Sequence, residues 1–170
     1  MRKISRVSGP TLALVLMTVF VGGAATAAEP DCIATGDTEA REACYAKMPD
    51  TQIAACERVR PNTCLPYKEM HVLSAELDRL SRDIRTAARK RYAAYSAEDS
   101  AYLDDLSEYL DASDQTWRDY RDAECRLDPF LQGMSRNEAA SLEEVCRMEL
   151  SQSRAVELTN RLDALRQSSD

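Results

Sequence analysis

Six cysteines, one histidine and one tryptophan are the least interchangeable residues of this 170-residue chain. A nucleophilic enzyme needs a Ser or Cys beside a general base. His71 is the only histidine, and it stands two residues from Leu73, a member of an apolar stripe. That is the place of a boundary residue, not of a base. Asp104-Asp105 and Glu143-Glu144 are adjacent carboxylates. On a helix such neighbours point about 100° apart, so both pairs read as solvated faces and not as an acid/base couple. No glycine-rich phosphate loop or calcium-loop spacing occurs. No CxxC occurs either, and His71 lies outside any zinc-ligand spacing. The expectation is a protein without catalysis, metal or cofactor.

The cysteines carry a different chemistry. Cys32, Cys44, Cys56, Cys64, Cys125 and Cys146 are even in number, which in an exported chain reads as three disulfides. Cys125 and Cys146 flank one turn, and pairing them closes a loop of about 20 residues, worth ~3 kcal/mol in the chain-entropy model. Two pairings of the first four are physically sensible. Nested bonds, Cys44–Cys56 inside Cys32–Cys64, would staple a hairpin centred on Pro49. Sequential bonds, Cys32–Cys44 and Cys56–Cys64, would close two small loops.

The elements that position these residues are helical. Leu73, Leu77, Leu80, Ile84 and Ala87 recur with spacings of three and four, predicting a helix near 66–95, with Pro66 in its first turn and Ser96 at its end. Leu103, Leu106, Leu110, Ser113, Trp117, Tyr120 and Leu127 predict a second near 97–127. Ser96-Ala97-Glu98-Asp99 resembles a capping box at its start, and Asp128-Pro129 limits its far end. Leu142, Cys146, Leu150, Leu158, Leu162 and Leu165 predict a third near 136–166, opened by the capping box Ser135-Arg136-Asn137-Glu138. Two shorter helices, Thr38 to Lys47 and Thr51 to Val59, are expected either side of Pro49-Asp50. The fold class is therefore all-α: an antiparallel three-helix bundle with a short Cys-rich helical segment before it, stapled by disulfides. Charge supports the first pairing. Arg79, Arg82, Arg85, Arg89, Lys90 and Arg91 lie in 79–91 with one acid, Asp83. Glu98, Asp99, Asp104, Asp105, Glu108, Asp111 and Asp114 lie in 98–114 with no base. A turn at Ser96 lays the two runs side by side. Each exposed pair is worth only ~0–1 kcal/mol, so they set register more than stability. The same basic stripe could hold an anionic envelope polymer, but its acidic neighbour already accounts for it.

Residues 1–28 read as a secretory leader. Arg2, Lys3 and Arg6 precede the apolar run Thr11 to Val21, and small residues follow from Gly22 to Ala28. The run is about 11 residues, too short to span a ~30 Å hydrocarbon core. Cleavage after Ala27 or Ala28 fits equally. The remainder divides into a Cys-rich segment, 29–64, and a helical domain, 65–170, which together form one globular unit. The expected location is periplasmic or secreted, with no membrane anchor after cleavage. The net charge of −7 argues against nucleic-acid binding, which needs a basic face.

The most distinctive stretch is Gln115 to Cys125, QTWRDYRDAEC. Trp117, Arg121 and Cys125 fall at i, i+4 and i+8, so Arg121 can lie over the indole, and Tyr120 is read as apolar-side too. The bland reading is a core anchor between the second and third helices. The functional reading is a partner surface, since Trp, Tyr and Arg are enriched at hot spots.

With these residues the chain resembles the LprI-type lysozyme-inhibitor domain, a family of small exported bacterial proteins. Its pattern, Q-x-x-W-x-x-(Y/F)-R-D-A-x-C followed by a Gly turn, a Cys and an Arg, is met by Gln115, Trp117, Tyr120, Arg121, Asp122, Ala123, Cys125, Gly133, Cys146 and Arg154. The Gln-to-Trp spacing is one residue shorter here, and four Cys precede the first long helix where the family usually has two. The resemblance, over about 31–165, implies a helical, disulfide-bonded exported protein whose partner is a lysozyme or another envelope protein. The matched positions carry over as a structural signature, not as inhibitory residues. The Asp128–Asn137 turn and the Cys-rich 45–64 segment are the segments that could enter an enzyme cleft.

Overall fold

The punctuation of the N-terminal segment follows from Asp37 and Pro49. The Asp37 carboxylate accepts from the Ala40 amide at 2.7 Å and opens α1, Thr38–Ala46. Pro49 then caps α2, Asp50–Val59. This is a computed structural model, and it describes residues 31–167; the leader expected at 1–28 lies outside them. A 3₁₀ turn at Cys32–Ala34 precedes α1. Three long helices follow: α3, Cys64–Arg91; α4, Tyr102–Leu131; and α5, Arg136–Gln167. Every regular element among the described residues is helical.

The start of α3 has a cap that its local sequence does not announce. Thr63 makes no side-chain cap bond. Instead Glu57 reaches over from α2 and accepts from the amides of Asn62, Cys64 and Leu65 at 2.7, 2.6 and 2.7 Å. A carboxylate on unpaired N–H groups at the positive end of a macrodipole is a favourable placement.

Three expected boundaries are corrected. The first long helix ends at Arg91, not near residue 95. A 3₁₀ helix, Ala93–Ala97, takes over because it lets Tyr95 stack on Tyr102, with ring centroids 5.0 Å apart. The Ser96 hydroxyl turns back to the Ala93 carbonyl at 2.7 Å, so Ser96 does not cap the next helix, which starts at Tyr102. Nor does Pro129 end α4, which runs two residues further. Pro129 is fully buried, and its carbonyl accepts from the Met134 amide at 3.0 Å while Phe130 accepts from Gly133 at 3.0 Å. With Gly133 at φ 76°, this is a Schellman closure, available without strain because glycine lacks Cβ. The start of α5 is as expected: Glu138 reaches back to the Ser135 amide at 3.1 Å and to its hydroxyl at 2.6 Å.

Side-chain pairs give the relative directions. Between α3 and α4, Asp78 meets Arg118 at 2.6 Å, Arg85 meets Asp111, and Arg89 lies 3.6 Å from Asp104. The numbers rise on one side as they fall on the other, so these helices are antiparallel, and the charge runs do face each other. Between α4 and α5, Cys125 is bonded to Cys146 and Arg121 meets Ser151 at 3.3 Å, again antiparallel. Between α3 and α5, Leu77, Leu80 and Ile84 share a core with Ala155, Leu158 and Leu162, in parallel register. A second core of Cys32, Tyr45, Met48, Ile53, Cys64 and Tyr67 joins the N-terminal helices to the start of α3.

The first four cysteines take the sequential pairing. Cys32–Cys44 and Cys56–Cys64 have Cα separations of 5.6 and 6.2 Å, and no cysteine is free. The closing of two small loops leaves α1 and α2 each tied to what precedes or follows it.

A buried ionic seam and the hairpin it supports

The α5 helix buries a polar line before it buries an apolar one. Glu144, Arg147, Ser151 and Arg154 recur at spacings of three, four and three, all buried. Burying charge is costly unless each charge is paired. Arg147 is the hub. Its Nη1 donates to Glu42 of α1 and to Glu144, both at 2.7 Å, and its Nε donates to Asp122 of α4 at 3.0 Å. Arg121 donates to the same Asp122 oxygen at 2.8 Å and to the Ser151 hydroxyl at 3.3 Å. One seam thus binds α1, α4 and α5.

The electrostatics are uneven. Burial pushes the Glu144 carboxyl up to about 7; Arg147 opposes the rise and nearby Glu42 adds to it. Glu144 is 1% exposed and its Oε1 has no hydrogen-bond partner among the described residues. Burial also works against the charge on Arg147, but Glu144, Glu42 and Asp122 outweigh it and hold the guanidinium above its ordinary value. Arg121 is shifted the other way, by burial first and by the nearby Arg147 charge second.

The predicted signature residues divide between this seam and the surface. Trp117 is half-buried, with the guanidinium carbons of Arg121 and Arg154 each 5.4 Å from its ring centroid. The indole therefore meets a cation from its own helix and one from α5. Asp122 bridges two arginines, Cys125 is fully buried, and Gly133 makes the turn. Gln115 is exposed and donates to Asp119 at 2.9 Å, and Ala123 is exposed. Two readings need correction. Tyr120 is exposed, not apolar-side, because the buried face of α4 follows Trp117, Arg121 and Cys125 and leaves Tyr120 on its flank. Glu144 is not a solvated carboxylate, although its neighbour Glu143 is partly exposed. His71 lies exposed on α3. Sequence reasoning missed Glu42, Glu144 and Arg147; the three-four-three spacing of α5 was the available signal, but it is read on apolar residues.

Beyond Cys125 the α4–α5 hairpin presents apolar side chains to solvent. Leu127 is 50% exposed, Phe130 50%, Leu131 74% and Met134 37%. Such residues clustered at a turn mark an interaction surface more often than isolated exposed leucines do. The Cys125–Cys146 bond, with a Cα separation of 5.4 Å, clamps the base of this hairpin, and the Schellman closure holds its apex. Among the described residues no helix is long and apolar enough to cross a membrane, and no group of side chains is placed to hold a metal ion.

A family model described as lysozyme inhibitor LprI matches residues 32–158. The match takes in all six cysteines, the seam and the hairpin. No curated protein and no solved structure matches the chain.

Proposed function

Because the chain belongs to the LprI lysozyme-inhibitor family, we propose that it is an exported, non-catalytic protein that inhibits a lysozyme by protein–protein contact, with the α4–α5 hairpin entering the enzyme's cleft. The observation that supports this site is the clamped turn exposing Leu127, Phe130, Leu131 and Met134. An anchor already held in its bound shape loses little entropy on docking. Without residues 1–28, which carry Arg2, Lys3 and Arg6 and no acid, 19 bases face 29 acids, and a net charge of −10 would steer encounter with a cationic lysozyme. Three disulfides suit an oxidising compartment, periplasmic or extracellular, reached by way of the leader at 1–28.

The test is titration of the oxidised protein, freed of residues 1–28, into lysozymes of the animal and bacterial classes, with lysis rate and binding heat read together. Saturable inhibition near 1:1 is the expected result. Absence of binding to every lysozyme would refute the reading and turn the search to other envelope proteins.

A further inference from the structure

Three arginines line one cleft of about 560 Å³ where the N-terminal segment meets the start of α5: Arg41 of α1, Arg60 just after α2, and Arg136 at the first position of α5. The rest of the chain pairs many of its cations, yet none of these three guanidiniums forms a salt bridge with a carboxylate among the described residues. Arg41 is oriented by neutral acceptors. Its Nε and Nη2 donate to the Thr35 carbonyl at 3.1 and 2.6 Å, and its Nη1 donates to the Tyr67 hydroxyl at 2.9 Å. The guanidiniums of Arg60 and Arg136 have no hydrogen-bond partner among the described residues.

The nearby acids are engaged elsewhere. Glu57 is spent on the three amides that open α3, Glu138 on Ser135, Glu144 on Arg147, and Glu143 lies 3.9 Å from Arg126. No carboxylate is among the described residues lining the cleft. Hydroxyl donors are present instead. Thr63 and Ser141 face each other at 3.2 Å across α3 and α5. Tyr67 accepts from Arg41, so its own proton is left to donate, and burial keeps that phenol protonated.

We infer that this cleft is an oxyanion-binding site, in which Arg60 and Arg136 clamp a phosphate or carboxylate group while Arg41, Thr63, Ser141 and Tyr67 complete a neutral-to-cationic floor. Like charges gathered without a counterion are unfavourable, and an oxyanion relieves this with short charge-assisted bonds. Among the described residues no carboxylate lines this concavity beside its three arginines, so the group that complements it is an anion. The inference does not rest on the lysozyme reading, and either can fail alone.

The experiment titrates the oxidised protein with sodium phosphate and with sodium citrate at constant ionic strength, with chloride as control, by calorimetry and by thermal denaturation. The Arg60→Gln/Arg136→Gln double variant is run beside it. Neither guanidinium makes a hydrogen bond or salt bridge among the described residues, so the variant should melt within the scatter of the parent when no anion is added. Saturable binding that weakens at least about tenfold in the variant is expected, from the loss of two charged hydrogen-bonding groups. Saturation by phosphate alone would assign a phosphoryl ligand, and by citrate alone a carboxylate. A response that does not saturate, or is equal in parent and variant, overturns the site.

Discussion

Arg147 Nη1 lies 2.7 Å from Glu42 Oε1, a bond between side chains 105 positions apart. It ties α1 to α5, in addition to the apolar core that α1 shares with the start of α3. Arg147→Ala would leave Glu42, 2% exposed, and Glu144, 1% exposed, buried without their cation. The expected loss is about 3–5 kcal/mol, since breaking a buried pair on one side costs far more than replacing the whole pair. Urea denaturation measures it. A triple replacement of Glu42, Glu144 and Arg147 by apolar residues should recover most of the loss.

Stability should depend on pH through Glu144. Its carboxyl is raised from 4.5 to about 7 in the fold, chiefly by burial. A raised carboxyl favours the protonated folded state, so its contribution is complete below about 4.5 and is lost as pH rises through 7. The span corresponds to a few kcal/mol at most. Lys68 beside Asp50, and the Ser135 side chain and amide beside Glu138, hold those exposed carboxyls below their ordinary values. Their contribution acts oppositely and fades only as the pH falls through those lowered values. Unfolding midpoints at pH 5 and pH 8 should therefore favour pH 5, and Glu144→Gln should flatten the difference. An unchanged slope in that variant would remove Glu144 from the account.

Trp117→Ala should destabilise the protein by about 3 kcal/mol. Truncating a large aromatic costs 3–5 kcal/mol when it is fully buried, and this one is half-buried but also stacked with Arg121 and Arg154. Near-parental thermal stability would mean that the indole is not an anchor. Trp117 is the only tryptophan, so its fluorescence in the parent reports directly on the α4–α5 contact during unfolding.

Phe130→Ser and Leu131→Ser separate binding from folding. Both side chains are at least half exposed, so each change should move stability by no more than ~0.5 kcal/mol. Lysozyme inhibition should weaken tenfold or more if these are the buried anchors of the complex. Full inhibition by both variants would move the docking surface away from the hairpin.

Removing the clamp tests the same hairpin differently. Cys125→Ala/Cys146→Ala opens a loop of sequence separation 21 and should cost about 3 kcal/mol. Under conditions where the variant is still folded, inhibition should fall as well, because the apolar tip must then be ordered on binding.

Helix number and type could be read from Leu77, Leu80, Ile84, Leu158 and Leu162, whose spacing coincides with their burial. The capping box at Ser135 and Glu138 was equally local. What escaped the sequence was set by partners distant along the chain. Glu144 beside Glu143 looks like a solvated pair until Glu42 and Arg147 are brought to it. Pro129 looks like a helix stop until the disulfide and the Schellman closure hold the chain through it. Glu57 caps a helix other than its own. The pairing of Cys32 and Cys44 was one of two sensible choices because four cysteines spaced 12, 12 and 8 residues apart do not rank loop sizes decisively.

The three disulfides join each cysteine to the next one along the chain: first to second, third to fourth, fifth to sixth. In a polypeptide threaded N-terminus first into an oxidising space, each new thiol meets its native partner before the following pair has emerged. Oxidation in order of arrival is then correct oxidation, with no non-native bridge to undo and no need for an isomerase. The covalent links are all short-range, so they leave the long-range architecture to the two apolar cores and to Arg147 and its acids. A chain that has formed every disulfide can still be unassembled, and what remains to be joined at that stage is the α3–α5 apolar core and the ionic seam.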